Sequence, residues 1–418
     1  NTVLNPRNEF VKPWNELTDD EKKVYARYME VYAGFLEHAD AQIGKVVDYL
    51  KEIGEFENTV IVLLSDNGAS AEGGKNGRVN QEKSLNLLEE TNNVELTLKH
   101  LDELGSSTYS NPHYPVGWAN AGNTPFQWYK SWVHSGGVKD PLIVSYPKGI
   151  QAKGEIRNQY LHVIDIAPTI LDILGVDKPD HIKGIAQKPY HGASFAGTFD
   201  NAEAPDVRHI QYYEQTGNRG IWKDGWKAIT NHIYDKDYIN ETWELYHVAE
   251  DFSESENVAE QYPDKLKELI ALWYVQAGKY GVLPLGDGPY LNVVKENKFY
   301  IEPQKFSYHG VLHPLDITTK TMFNRRNHKI TVQIAHEPDQ EGILYAAGNR
   351  FGGYVLFIQE NLLKYAYNYH REHVFQVTSA DPLPEGNVTV QVQFRLTDKG
   401  TAVAELWVNG ISQGKTEI

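Results

Sequence analysis

Cysteine is absent from all 418 residues. That excludes disulfides, thiolate metal sites and a cysteine nucleophile supplied by this chain, while saying little about compartment. Long apolar runs are missing too, and none approaches the roughly 20 residues that span a bilayer. Positive charge is scarce: 40 Lys and Arg stand against 56 Asp and Glu, a formal net charge of −16, with no dense basic cluster. A phosphate-backbone binder needs a basic surface, which argues against nucleic acid as a partner. The opening NTVLNPRNEF has neither a Met nor a signal peptide's basic and apolar regions, so the start reads as processed or truncated. Asn240-Glu-Thr and Asn387-Val-Thr match the glycosylation sequon, a triplet that also arises by chance.

What remains is the composition of a globular protein, 41% hydrophobic and 23% charged, at a length that favours two domains over one. The segment LTDDEKKVYARYMEVYAGFLEHADAQIGKVVDYLKEIG predicts one long helix. Thr18 and Glu21 have capping-box spacing, and Gly54 closes the far end. Tyr28, Tyr32, Phe35, Ala39, Ile43, Val46 and Leu50 recur every three or four residues and predict a buried stripe. The apolar run Val60–Leu64 follows and predicts a strand covered on both faces, an α/β pattern. A polar insertion then runs from Asp66 to about Asn123, with a helix around Leu85–Leu104.

Asp140–Pro147 predicts a second apolar strand, and HVIDIAPTILDILGV a helix starting near Asp165 and stopping at Gly175. RGIWKDGWKAIT and TWELYHVAEDFSE predict two antiparallel edge strands, and PDKLKELIALWYVQAGKYG a closing helix. Pro and Gly in Val282–Leu291 mark a change of character. Beyond it HKITVQIAHE, GGYVLFIQE, LLKYAYNYH, VTVQVQFRL and AVAELWVNG alternate with period two, the pattern of a β-sandwich. The closing GKTEI also reads as strand, so the end, like the start, reads as cut.

Asp66 and Asn67 stand where the first strand ends, and ligands in open α/β sheets collect at carboxyl ends of strands. A carboxylate beside an amide oxygen suits Ca²⁺ or Mg²⁺, yet two ligands do not fill a site of six or more. Asp-Asn-Gly is equally a turn, since all three residues favour turns. Lys130 lies six residues before Gly136-Gly137, where an ammonium can ground an anionic ester oxygen or simply be solvated. His134 has no second histidine at metal-ligand spacing and reads as a packed residue.

In order, GEFENTVIVLLSDNGAS, NTPFQWYKSWVHSGGVKDPLIVSYPKG, HVIDIAPTILDILGV and WELYHVAEDFSESENVA resemble the sulfatase family, specifically large bacterial arylsulfatases, over about residues 10 to 285. LDELGSSTYSNPHYPVGWANAGNTPF resembles an insertion of the arylsulfatase branch, and GILYAAGNRFGGYVLFIQENLLKYAYNYH the concanavalin-like sandwich of its larger members. The resemblance implies part of an alkaline-phosphatase-like mixed sheet flanked by helices over residues 1–285, then an all-β concanavalin-like sandwich over 286–418. It implies that Asp66 and Asn67 ligate a divalent cation, Ca²⁺ before Mg²⁺, and that Lys130 contacts the substrate sulfate. The family's usual Gly-Gly-x-Arg is here Gly136-Gly137-Val138-Lys139.

The family nucleophile, a formylglycine made in a C/S-x-P-x-R motif, has no counterpart. SNPHY (Ser110–Tyr114) carries Tyr in place of Arg and follows the Asp-Asn pair instead of preceding it. Two further family Asp ligands are also missing, because Asp19 and Asp20 open a helix, where the dipole favours acids. The resemblance therefore implies the C-terminal portion of an arylsulfatase, inactive by itself, with the missing N-terminal half and an aryl or glycan sulfate ester as partners. It also implies a periplasmic or secreted location. A phosphoester or phosphonate hydrolase of the same superfamily is the alternative enzyme. A non-catalytic protein that binds glycans through the aromatic 350–370 region is the alternative class.

Overall fold

The capping box forms as its spacing predicts. Thr18 Oγ1 accepts from the Glu21 N–H at 3.2 Å, and the Glu21 carboxylate accepts from the Thr18 N–H at 2.8 Å. From there α1 (Asp19–Glu52) runs 34 residues, and Gly54 leaves it at φ 75°, a left-handed turn that glycine adopts without strain. The computed structural model describes residues 3–8, 10–81, 93–106, 110–234, 236–286, 327–349, 352–369, 373–397 and 401–418. The chain divides into two compact units. One comprises Asn1–Gly77, Asn92–Leu98 and Tyr114–Lys298, the other Arg78–Thr91, Lys99–His113 and Phe299–Ile418.

In the first unit β1 (Ile61–Leu64) pairs antiparallel with β2 (Leu142–Ser145), from Ile61↔Ser145 to Leu64↔Leu142. Two expectations fail here. Of the α1 stripe predicted from Tyr28 to Leu50 only Tyr28 is buried, next to Val24 and Tyr25 one turn earlier, whereas Phe35, Ile43 and Val46 are exposed. Likewise β1 is not covered on both faces, since Leu63 and Leu64 are exposed, as is Ile143 on β2. The physical reason is the same for both. This sheet has two strands among the described residues, and nothing described packs over its outer face.

Between these strands the expected Leu85–Leu104 helix falls partly on residues 82–92, outside the described residues. The rest forms α2 (Val94–Lys99) and a 3₁₀ turn at Leu101–Glu103. Next come α3 (Val116–Asn123) and the single turn α4 (Ser135–Val138). The helix predicted near Asp165 is α5 (Ile166–Leu174), stopped by Gly175 at φ 63°. Asp165 is fully buried at its start, accepting from the N–H groups of His162 and Ala193, both at 2.9 Å, and from the Arg208 guanidinium. A small hairpin, β3 (His181–Ile182) and β4 (Ile185–Ala186), follows.

The edge-strand expectation is corrected in detail. RGIWKDGWKAIT is not one strand but a hairpin, β6 (Asn218–Lys223) and β7 (Trp226–Thr230), turning at Asp224 (φ 46°) and Gly225 (φ 85°). Both turn residues with φ above zero is what Asp-Gly supplies. With β5 (Ile210–Gln215) and β8 (Glu244–Tyr246) it makes a four-stranded antiparallel sheet. The closing helix α6 (Pro263–Tyr280) packs on this sheet, where Ile221, Ala228, Leu245, Leu269, Trp273 and Ala277 form a fully buried core.

In the second unit the period-two segments form two four-stranded antiparallel sheets. One orders β10 (Gly342–Asn349), β11 (Gly352–Gln359), β12 (Leu362–Tyr369) and β13 (His373–Thr378). The other orders β16 (Ile411–Glu417), β15 (Ala402–Val408), β14 (Gly386–Leu396) and β9 (His328–His336). A single core holds Leu356, Leu363 and Tyr365 of the first with Val390, Val392 and Leu406 of the second. Alternate residues point inward, most regularly on β15, as the pleat requires. The closing GKTEI lies in β16 up to Glu417. The Pro/Gly segment at the expected boundary continues into residues 287–326, outside the described residues.

Candidate active site

The loop carrying Lys130 is fastened to the β5–β8 sheet before it reaches β1. Val133 is buried against Ile229 and Tyr246, and Asn218 Nδ2 donates to the Ser131 carbonyl at 3.1 Å. His134 is fully buried and pairs through Nε2 with Glu244 at 3.0 Å, the packed role its lone occurrence implied. Deepest is Glu254, which lies at φ 56° and is fully buried. Its carboxylate accepts from the Ser135 N–H (2.8 Å), the Ser135 hydroxyl (2.7 Å) and the Lys227 ammonium (2.7 Å). Burial alone would raise the Glu254 carboxyl. The charges of Lys227 and His134, with the Ser135 N–H, outweigh it and hold the group below its usual range.

On this base the Asp-Asn-Gly end of β1 docks against Gly136-Gly137. The Gly68 N–H donates to the Gly137 carbonyl at 3.4 Å, and the Lys130 N–H to the Ala69 carbonyl at 3.0 Å. A Cβ on Gly68 would overlap the Gly136 carbonyl oxygen, and one on Gly136 would overlap the carbonyls of Gln127 and Trp128. Both glycines are thus required by close backbone approach. Asn123 is the rivet. Its Oδ1 accepts from the Ala69 N–H (3.0 Å) and its Nδ2 donates to the carbonyls of Trp128 (2.9 Å) and Gly136 (2.7 Å).

The three residues singled out from sequence therefore share one junction. Lys130 sits between two non-glycine residues in left-handed conformation, Trp128 (φ 61°) and Ser131 (φ 76°), strain of a kind that gathers at functional sites. Its ammonium meets Glu72 at 3.1 Å. Asp66 is exposed, and its carboxylate has no partner among the described residues. Asn67 turns its Nδ2 to the Gly68 carbonyl at 2.9 Å, which leaves Oδ1 as a free hard acceptor. Asp140 lies two residues outside the Leu64↔Leu142 pair, as Asp66 does on the other strand. Burial, and then the charge of Asp66, push its carboxyl up to about 6. The oxygen donors Asp66 and Asn67 fit a hard divalent cation in kind but not in number. Among the described residues no three His, Asp or Glu side chains are grouped to hold a metal.

Sequence reasoning missed Asn123, Glu254, Asp140 and Glu72. Glu254 lay inside a quoted motif, but nothing local marks a buried carboxylate 119 residues from the serine it holds.

Against known proteins, residues 4–176 match the sulfatase family model, and residues 125–272 match the model for the C-terminal part of N-sulphoglucosamine sulphohydrolase. An uncharacterized sulfatase of Schizosaccharomyces pombe is 35% identical over 297 residues, 70% of this chain and 50% of that protein. An arylsulfatase of Klebsiella aerogenes is 33% identical over 44% of this chain and 37% of its own length. An N-acetylglucosamine-6-O-sulfatase of Bacteroides thetaiotaomicron is 27% identical over 59% of this chain and 35% of its own. The chain thus spans half or less of these curated relatives. Among solved structures, Ps i-CgsB superposes with a TM-score of 0.42 at 19% identity, over 70% of this chain and 51% of that one, too weak a likeness to bear on the fold. The matched models and relatives together make residues 4–272 of this chain sulfatase-family sequence.

Proposed function

We propose that this chain is the C-terminal portion of a sulfate ester hydrolase whose nucleophile lies outside these 418 residues. The observation that carries the reading is the shared junction of Asp66, Asn67 and Lys130, riveted by Asn123 and two close-packed glycines. The exposed apolar faces of α1, β1 and β2 support it, because they are what a complementary α/β half would cover. The two-sheet second unit is, in this reading, the concanavalin-like sandwich of the larger arylsulfatases.

Lys130 is the group that would hold a sulfate oxygen. Its ammonium already faces an anion, Glu72, so an arriving sulfate exchanges one negative partner for another without stranding the charge. A divalent cation, Ca²⁺ before Mg²⁺, would draw on the Asp66 carboxylate and Asn67 Oδ1, and when bound would neutralise charge on the ester oxygens. Since these two ligands are short of a full set, the chain alone would hold the ion weakly. The substrate is a sulfate ester on an aryl or sugar group, met in the periplasm or outside the cell.

The test compares an aryl sulfate with the matching aryl phosphate, using the complete polypeptide that contains this chain. Sulfate turnover should dominate, Lys130→Ala should lower kcat/KM by about 10²-fold or more, and the 418 residues alone should be inactive. Dominant phosphate turnover would replace the reading with a phosphoester hydrolase. Unchanged turnover by Lys130→Ala would remove Lys130 from the site.

A further inference from the structure

Asn67-Gly68 is one of three Asn-Gly pairs in the chain, with Asn76-Gly77 and Asn409-Gly410. Asparagine is thermolabile, and most of all before glycine, whose missing Cβ lets its nitrogen approach freely. That nitrogen attacks the asparagine side-chain carbonyl carbon, the Cγ–Nδ2 bond breaks, and ammonia leaves with the proton of the glycine amide. Water then opens the cyclic imide to aspartate or isoaspartate. The reaction needs no catalyst. It needs rotation about the asparagine Cα–C bond and a glycine nitrogen free to turn toward Cγ, and the three pairs differ in that freedom.

At Asn67 the peptide is held on both sides. Ser65 Oγ donates to the Asn67 carbonyl at 3.0 Å, Asn67 Nδ2 to the Gly68 carbonyl at 2.9 Å, and the Gly68 N–H to the Gly137 carbonyl at 3.4 Å. Gly68 is buried, and the Gly136 carbonyl oxygen lies 1.8 Å from where a Cβ on it would stand. Asn123 Nδ2 grips that carbonyl at 2.7 Å, so the Asn67-Gly68 peptide cannot rotate unless the junction opens. Asn76 is intermediate. It is half-buried before a buried Gly77, and its Oδ1 accepts from the Tyr25 hydroxyl at 2.8 Å.

Asn409 is the opposite case. With Gly410 it forms the exposed two-residue turn between β15 and β16, at φ 47° and 82°, and a Cβ on Gly410 would meet nothing within 4 Å. No described residue takes up the Gly410 N–H. Asn409 Oδ1 accepts from the Thr389 N–H at 2.9 Å. A donor on that oxygen polarises the carbonyl and meets the negative charge that attack places there. We propose that Asn409 is a site of spontaneous deamidation, and that the docking of Gly68 exempts Asn67 from the same reaction. Conversion of Asn409 puts a carboxylate at the tip of the hairpin. Its isoaspartyl product adds a main-chain methylene to a turn whose length sets the β15–β16 register. Conversion of Asn67 would replace the amide oxygen donor of the proposed cation site by a carboxylate, and this last consequence alone rests on the proposed function.

The test ages the 418-residue chain in mildly alkaline buffer and follows the three peptides by mass spectrometry, as a gain of one mass unit and as a separately eluting isoaspartyl form. In the folded chain Asn409 should convert about tenfold faster than Asn67 or more, with Asn76 between them. In concentrated urea the three rates should converge, because the reacting pair is the same in each. Asn123→Asp keeps the oxygen acceptor of the rivet and loses both its donors, and Asn123→Ala loses all three bonds. Each should speed Asn67 roughly threefold or more and leave Asn409 unchanged. If Asn123→Ala unfolds the first unit, Asn76 accelerates together with Asn67, and Asn123→Asp then decides. Equal conversion of Asn67 and Asn409 in the folded chain, or an Asn67 rate unmoved in a folded Asn123 variant, would overturn the proposal. No arm reads turnover, so either result leaves the proposed activity to its own test.

Discussion

Two parts of the first unit have similar apolar content and opposite fates. In the sheet β5–β8 with α6, Ile221, Leu245, Leu269 and Trp273 have no exposed surface. Along α1, β1 and β2, Phe35 is 65% exposed, Val46 60% and Ile143 59%. A sheet of four strands with its own helix closes a core by itself, whereas two strands and one long helix leave theirs open. The difference separates a part that closes its own core from one that leaves apolar surface in water.

The comparison is most readily broken in the closed core. Trp273→Ala empties the space of the largest fully buried side chain and strands the Tyr213 carbonyl that its indole N–H meets at 3.0 Å. The expected loss is about 3–5 kcal/mol by denaturant unfolding; a loss below 1 kcal/mol would mean that this region, too, is loosely packed.

Next comes Glu254→Gln. It leaves Lys227 buried without its counter-charge, at a cost of about 3 kcal/mol. Because the folded state holds this carboxyl below its unfolded value, its contribution is present above the ordinary carboxylate range and is lost as pH falls through the folded value. The variant should therefore lose part of the acid limb of the stability profile. A parallel profile, merely shifted downward, would deny Glu254 that role.

Gly68→Ala tests the junction itself. The added methyl meets the Gly136 carbonyl, which Asn123 holds in place, so roughly 1–3 kcal/mol should be lost. Ala in place of Gly34, which faces open space on α1, should instead be neutral or stabilising. Equal effects at both positions would show that the docking of the Asp-Asn-Gly turn is not tight.

A smaller, chemical effect is expected at Lys139. Burial, and then the charge of Lys227, push its amine down to about 8, although the ammonium lies 3.6 Å from the Phe252 ring centroid. An acylating reagent should therefore label Lys139 ahead of ordinary surface lysines, with a midpoint near pH 8 by peptide mapping. Labelling with the midpoint of an ordinary lysine would sink the assignment.

The contrast also marks what the sequence makes legible. Thr18, Glu21 and Gly54 announce the ends of α1 because capping is local, whereas Asp224-Gly225, an equally local signal for two positive φ angles, is passed over when RGIWKDGWKAIT is read as one strand. Period-two alternation gives away β9, β11, β12, β14 and β15 for a similarly local reason. The stripe on α1 was legible as a stripe but not as exposed, since periodicity reports that a face is apolar and not what meets it. At the site, Asp66, Asn67 and Lys130 stood out by motif. Their supports Asn123 and Glu254 did not, because each acts across more than 50 residues of chain.

The smallest expected effect falls on the open face. Val46→Ser on α1 and Ile143→Thr on β2 each remove apolar surface that is already in water, so neither forfeits burial on folding. Each should change the stability of the 418-residue chain by no more than about 0.5 kcal/mol, while raising its solubility. Within the complete polypeptide the same substitutions should cost about 1–3 kcal/mol, because the face would be covered there. Equal effects in both settings would leave the open face without a covering half.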